Sequence, residues 1–262
     1  MTTQSTLLAL HDAQVRGSIA QRLPNSWRPL WDGPLLQIAA PNRGMAFAQD
    51  LEGLSVEELD ALVGRVRDRS AELGQAIEWK TYGHDRPDLT ERLRLAGFAP
   101  EERETVVIGE AADLTAAGED PDGITIRATT DPADLRRIAA MESEVWAADW
   151  SWLADDLRDR IDTDPENIVV LVAEAADTVV SAAWLAIIPG TEFGSLWGGS
   201  TLAQWRRKGI YRALVARRAR VAVDRGVKYL LVDASEDSRP ILQRLGLHAV
   251  TTTTPWVWSP SS

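Results

Sequence analysis

The chain has 262 residues, 45% of them hydrophobic and 26% charged, with no cysteine and three scattered histidines. That length favours two domains with a sizeable core in each, and no apolar run approaches what a membrane span requires. Disulfides and a cysteine nucleophile are excluded, His11, His84 and His248 have no metal-ligand spacing, and the net charge of -11 argues against general nucleic-acid binding. The first residues carry no Lys or Arg ahead of a short apolar run, so a cytoplasmic location is expected rather than secretion.

In chain order, an opening helix leads to strands around PLLQIA and GMAFAQ, then to a helix that Ser55 starts with the capping box SVEE. A strand (AIEWKTYG), a helix closing in ERLRLAGF and a strand (TVVIGE) follow. Glu110–Gly123, rich in small and acidic residues and holding Pro121, reads as a linker. Beyond it come a strand (GITIRATT) and two helices (PADLRRIAAMESEVWAAD and WLADDLRDRI). Three strands (NIVVLVAEA, TVVSAAWLAII, GSLWGGSTL) and then helix, strand, helix, strand complete the chain.

The two halves repeat. LVGRVRDRSAELG (Leu62–Gly74) and LVARRARVAVDRG (Leu214–Gly226) match without gaps at an offset of 152, and each runs into a strand, a helix closed by a glycine, and another strand. The expected fold class is α/β, an α+β mixed sheet flanked by helices, occurring twice in tandem with the N-terminal copy shortened. The domains are residues 1–110, a linker at 111–122, and residues 123–262.

Nine Lys and Arg residues lie between Arg206 and Lys228, a basic strip in an acidic protein. In GGSTLAQWRRKGIYRAL an apolar strand ends, a basic turn holds Gly209, and a helix follows. The first turn of a helix offers unpaired N–H groups and partial positive charge, which suits a pyrophosphate. Arg206, Arg207, Lys208 and Arg212 would supplement it, and a solvated helix face is the bland alternative.

This turn resembles the cofactor motif of the GNAT acyltransferase superfamily, which reads Arg or Gln, two residues, Gly, one residue, then Gly or Ala. Arg206, Arg207, Lys208, Gly209 and Ile210 fit, and Tyr211 replaces the final small residue. The order of elements from Gly123 onward resembles the whole superfamily fold, about half of the chain. The resemblance implies acetyl-CoA as cofactor. It also implies that the strand end Gly199, Ser200 and Thr201 bonds the pantetheine arm and polarises the thioester carbonyl. In the N-terminal copy the same offset puts Leu54, Ser55, Val56, Glu57, Glu58 and Leu59 in the pyrophosphate position. With no glycine and two carboxylates there, that copy is not expected to bind coenzyme A.

The family pattern places an Asn after the next strand and a Tyr acid in the following helix, where this chain has Ser235 and Leu242. Ser235 can still bond the cofactor, whereas Leu242 cannot donate a proton to the leaving thiolate. Ser238, one turn before Leu242, and Tyr211 are the candidate substitutes. For the base that takes the amine proton, Asp233, Glu236, Asp237, Glu142, Glu144 and Asp149 are available, and Asp233 stands out because YLLVDAS is otherwise apolar. An ion pair with an arginine is the competing role for Asp233.

By the resemblance, the acceptor site is built by the first two helices, where Trp146 and Trp150 are one turn apart and Trp152 is close. They suggest an aromatic wall for an apolar or cationic acceptor, with core packing as the alternative. The expected function is N-acetyl or short-acyl transfer from coenzyme A to an amine of a small molecule. The expected partners include neither nucleic acid nor membrane, and the expected state is a pseudo-dimeric monomer or a homodimer. The competing reading is a non-catalytic acyl-CoA sensor or interaction protein, and a third is contact of the basic strip with a phosphorylated partner or nucleic acid, against which the overall charge weighs.

Overall fold

The protein is described from a computed structural model covering residues 3–260. It begins with α1 (Gln4–Leu10), where Thr3 Oγ1 accepts the Thr6 N–H at 3.2 Å, and continues through π-helical and 3-10 turns to Arg22. Then come β1 (Arg28–Asp32), β2 (Leu35–Ala39), β3 (Gly44–Ala48), α2 (Val56–Glu72), β4 (Ile77–Tyr82), α3 (Leu89–Leu95), β5 (Ala99–Pro100) and β6 (Glu104–Glu110). The second half has α4 (Ala111–Leu114), β7 (Thr125–Thr129), α5 (Pro132–Trp146), α6 (Leu153–Thr163), β8 (Ile168–Ala175), β9 (Thr178–Ile187) and β10 (Phe193–Thr201). It ends with α7 (Ile210–Asp224), β11 (Tyr229–Ala234), α8 (Arg239–Arg244) and β12 (His248–Trp258). The fold is mixed α/β, with eight α-helices and twelve strands among the described residues.

Contacts divide the chain into two compact units that do not follow the expected boundaries. The first takes residues up to Val107 together with Asp233–Pro240 and everything from Ala249 on; the second is Ile108–Val232 with Ile241–His248. In the first, β1, β2 and β3 are antiparallel neighbours, β3 pairs parallel with β4, and β4 pairs antiparallel with β12 from Thr253–Tyr82 to Trp258–Ile77. Its core is the stripe Leu59, Leu62, Val63 and Val66 on α2, packed with Trp79, Leu89, Leu93, Phe98 and Trp256. The four α2 positions fall at helical spacing on one face, and burying each contributes about 1.5–3 kcal/mol.

In the second unit β7, β8, β9 and β10 are antiparallel neighbours and β10 pairs parallel with β11. α7 lies on this sheet through small buried residues, Ala213, Ala216, Ala219 and Ala222, which let helix and sheet approach closely. The repeat is visible in the strands, since β4 starts at residue 77 and β11 at residue 229, at the offset of 152.

The segment read as a linker is not a free tether. Ala111 and Leu114 are buried, the Ala111 N–H donates to Lys228 O at 2.8 Å, and Asp120 forms an ion pair with Arg217. A Cβ on Gly118 would stand 3.0 Å from the Ala213 nitrogen, so this stretch runs against the first turns of α7. No helix among the described residues is long and apolar enough to cross a membrane.

Candidate functional site

In the second unit, the pairing of β10 with β11 covers Phe193–Ser195 and then stops, while β10 continues to Thr201. Its register to β9 slips between Gly198 and Ser200, a bulge in which Gly198 and Gly199 have φ of 65° and 89°. The Tyr211 ring packs against Gly199, leaving no room for a side chain there. Ser181 holds the strand end by donating to Ser200 O and contacting Thr201 Oγ1 at 2.9 Å.

A 3-10 turn (Ala203–Trp205) leads into the basic loop. Arg206 folds back so that its Nε donates to Thr201 O at 3.0 Å, and Lys208 lies over the Trp205 ring at 4.3 Å. Arg207 is held at φ 64° and Gly209, the residue capping α7, at φ 87°. A left-handed non-glycine residue carries strain that the surrounding structure must hold in place, and at Gly209 only glycine is free of that cost. No side chain caps α7 and no acidic residue occupies its first turn. Arg207, Lys208 and Arg212 are exposed around it.

The matching helix in the first unit starts differently. Ser55 caps α2, its Oγ accepting the Glu58 N–H at 3.2 Å, and Glu58 Oε2 accepts the Ser55 N–H at 2.8 Å. Glu57 and Glu58 fill the first turn, so this helix end already has its own anions. The counterpart of Gly209 is Ser55, two residues from where the constant offset puts it, because the two helices start at slightly different places in the repeat.

Beneath the β10 bulge lies Arg218, fully buried on α7. Its Nη1 donates to Trp197 O at 3.0 Å and Trp184 O at 3.3 Å, and its Nε to Leu214 O at 3.1 Å. No carboxylate pairs with it among the described residues. Burial lowers its pKa to about 10, partly opposed by Tyr211, so the guanidinium stays charged at neutral pH. Burial raises the Tyr211 phenol, and the positive charge of Arg218 works against that rise.

Glu142 on α5 is 2% exposed. Its Oε2 accepts the Trp146 indole N–H at 2.9 Å, while Oε1 is buried with no hydrogen-bond partner. Burial raises its pKa, and Ser200 and Trp146 act in the opposite direction. Trp146 is 57% exposed and stacks on Trp150 at 6.2 Å between centroids, which stacks on Trp152 at 5.1 Å. Among the base candidates on α5 and the loop after it, Glu144 and Asp149 are exposed and Glu142 is turned inward. A signal for this lies in the sequence: Leu135, Ile138 and Glu142 share the buried stripe of α5 at spacings of three and four, an acid where an apolar residue is expected.

The remaining candidates fall in the first unit and are occupied. Asp233 is ion-paired with Lys80, a correction to the expectation of a carboxylate free to take a proton. Burial opposes the Lys80 ammonium more than any single neighbour favours it, but Asp233, Tyr82 and Glu78 together outweigh burial and leave the lysine pKa above its ordinary value. The competing role, an ion pair, is the one it has, with a lysine 153 residues away in sequence as the partner in place of an arginine. Glu104 is raised to about 7, first by burial and then by the Asp233 charge. Ser235 Oγ accepts the Ser238 N–H at 3.3 Å and lies 3.2 Å from Ser238 Oγ, so both serines belong to the turn ahead of α8, which begins at Arg239. Glu236 and Asp237 are exposed in the same turn. Leu242, in the second unit, is completely buried.

Comparison with known proteins agrees with this geometry. The sequence model described as the acetyltransferase (GNAT) family matches residues 134–247. No curated protein matches the sequence. Among solved structures, a GCN5-related N-acetyltransferase from Kribbella flavida is similar in fold, with a TM-score of 0.73 at 19% identity over 96% of each chain. A tandem GNAT protein from the clavulanic acid biosynthesis pathway has a TM-score of 0.67 at 11% identity, over 99% of this chain and 95% of that one. A GCN5-related N-acetyltransferase from Sphaerobacter thermophilus has a TM-score of 0.60 at 18% identity, over 88% and 82%. The segment 134–247 thus matches the acetyltransferase (GNAT) family model, and the chain over nearly its whole length is similar in fold to a tandem GNAT protein.

Proposed function

We propose that the protein transfers an acetyl or short acyl group from coenzyme A to an amine of a small molecule, using the second unit, while the first is a copy that has lost cofactor binding. The observation that carries this reading is the contrast between the two helix starts: α7 is uncapped and ringed by Arg207, Lys208 and Arg212, whereas α2 is closed by Ser55 and Glu58.

The residues present suit acetyl-CoA. The N–H groups of the first turn of α7 would take the pyrophosphate, helped by Arg207, Lys208 and Arg212. Arg206 holds the strand end in place through Thr201 O. Gly199, Ser200 and Thr201 lie past the end of the β10–β11 pairing, where strand groups are available to a pantetheine arm and to a carbonyl oxygen gaining negative charge. When bound, acetyl-CoA supplies an acyl group already activated as a thioester. Tyr211, neutral at physiological pH, donates its phenolic proton toward the leaving sulfur, and Arg218 stabilises the negative charge left on the ring oxygen. Asp233, Ser235 and Ser238 support the turn between β11 and α8.

The second reading is an acyl-CoA-binding protein without turnover, favoured by Leu242, whose buried aliphatic side chain stands where the resemblance puts a tyrosine acid. Calorimetric titration with acetyl-CoA tests both. Wild type should bind, and Gly209→Glu and Arg212→Glu should each weaken binding at least ten-fold. Absence of binding by the folded wild type overturns both readings, and binding without turnover across a broad amine panel selects the second.

A further inference from the structure

Glu142 is the most deeply buried carboxylate of the second unit's acceptor helices, and unlike Asp134, which Arg127 and Arg137 engage, it has no ion pair; its Oε1 meets no donor at hydrogen-bonding geometry, and the Ser200 side chain is its polar neighbour. A buried carboxylate oxygen with no donor carries an uncompensated desolvation cost, which a catalytic role or a bound water, ion or ligand accounts for. Three features surround it. Ser200 sits at the end of β10, past the last β10–β11 pair. Trp146 covers the carboxylate from the last position of α5 and is followed by Ala147 at φ 50°, so the ring stands at a helix end and not inside packed core. The Trp146, Trp150 and Trp152 rings then form a continuous stacked surface, exposed at Trp146.

Resting on the acyltransferase reading above, we propose that Glu142 is the catalytic base and that the acceptor is a primary amine carried on a flat apolar body, its ammonium held by Glu142 and its body laid on the tryptophan stack. An ammonium satisfies the empty Oε1, and an aromatic face attracts the same positive charge. A negatively charged or polyhydroxylated acceptor matches neither group.

The step balances. The bound ammonium gives one proton to Glu142, which passes it to solvent. The freed nitrogen lone pair forms the N–C bond at the thioester carbonyl carbon, and the C–S bond breaks with its electron pair on sulfur. The second nitrogen proton replaces the one Tyr211 has delivered to the thiolate. The products are an amide, the free thiol and one proton.

The test is equilibrium binding of phenethylamine to the full chain at neutral pH, followed by tryptophan emission and compared with phenethyl alcohol, with and without coenzyme A. Wild type should prefer the amine at least ten-fold in one of the two conditions. Glu142→Gln should bring that ratio near one with an unchanged circular dichroism spectrum; if it does not fold, Glu142→Asp should lower the ratio at least three-fold. Equal binding of amine and alcohol by wild type, no saturable binding of the amine in either condition, or an unchanged ratio in a folded variant would overturn the proposal. Failure of acetyl-CoA to bind at α7 would instead overturn the acyltransferase reading and leave the amine preference measurable.

Discussion

The ring of Tyr211 occupies the space that a side chain on Gly199 would need: a Cβ built there stands 2.8 Å from Tyr211 Cε2, and the backbone is at φ 89°. Alanine at this position therefore meets both backbone strain and a ring that is part of α7. Gly199→Ala should fold, because the bulge lies at the end of β10, but lose acetyl-CoA affinity at least ten-fold by calorimetry. Unchanged affinity would show that the Tyr211–Gly199 contact does not shape the cofactor site.

Arg218 ties Leu214, Trp184 and Trp197 carbonyls together from inside the sheet. Arg218→Met strands those acceptors and should lower stability by about 3 kcal/mol in urea unfolding. It also removes the positive charge that opposes the rise in the Tyr211 pKa. Ultraviolet titration of Arg218→Met should place the Tyr211 phenol higher than in wild type, and a shift the other way would contradict the pairing.

Asp134 joins Arg127, Arg137 and Thr129, with Thr129 Oγ1 donating at 2.6 Å and Arg127 Nη1 at 2.6 Å. The Arg127 hydrogen bonds outweigh burial and hold its pKa below the usual carboxylate range. A depressed folded pKa stabilises above the unfolded value and loses that contribution as pH falls through the folded one. Asp134→Asn should cost about 2 kcal/mol at pH 7 and distinctly less near pH 2, measured by urea unfolding.

Glu104 has the opposite sign. Its pKa is near 7 in the folded chain against an ordinary 4.5, so the native state binds its proton more tightly than the unfolded chain does. Stability therefore falls as pH rises from about 4.5 to about 7 and stays reduced above it. Glu104→Gln should raise the melting temperature by about 2–4 °C at pH 8 and leave it unchanged at pH 4. An equal change at both pH values would remove burial of the charge as the cause.

The helices, the strand order in the second half and the basic turn were legible because each is a local pattern: the Ser55 capping box, the α2 stripe, the glycine turn before α7. The roles of Asp233 and Glu142 were not. An acid in an apolar strand looks the same whether it is free or paired, and Lys80 is 153 residues away in sequence. Glu142 was visible only as an acid on an apolar stripe, which says that it is buried and nothing of its unpaired oxygen. β1, exposed along nearly its whole length and interrupted by Pro29, carries almost no alternation to reveal it, and the small residues of 111–122 that read as a linker include Gly118, which fits against α7.

The unlike starts of α2 and α7 give the two copies different thermodynamic dependences. Ser55 and Glu58 neutralise the α2 dipole within the chain, at a strength fixed by sequence and independent of concentration. α7 has no such internal counter-charge, so whatever anion settles on it adds stability in proportion to the logarithm of its concentration. Amide exchange should then slow with added coenzyme along α7 and its neighbouring strands, and remain indifferent along α2. On the proposed function, one helix start is a permanent part of the scaffold, and the other is a place where metabolite supply sets local rigidity.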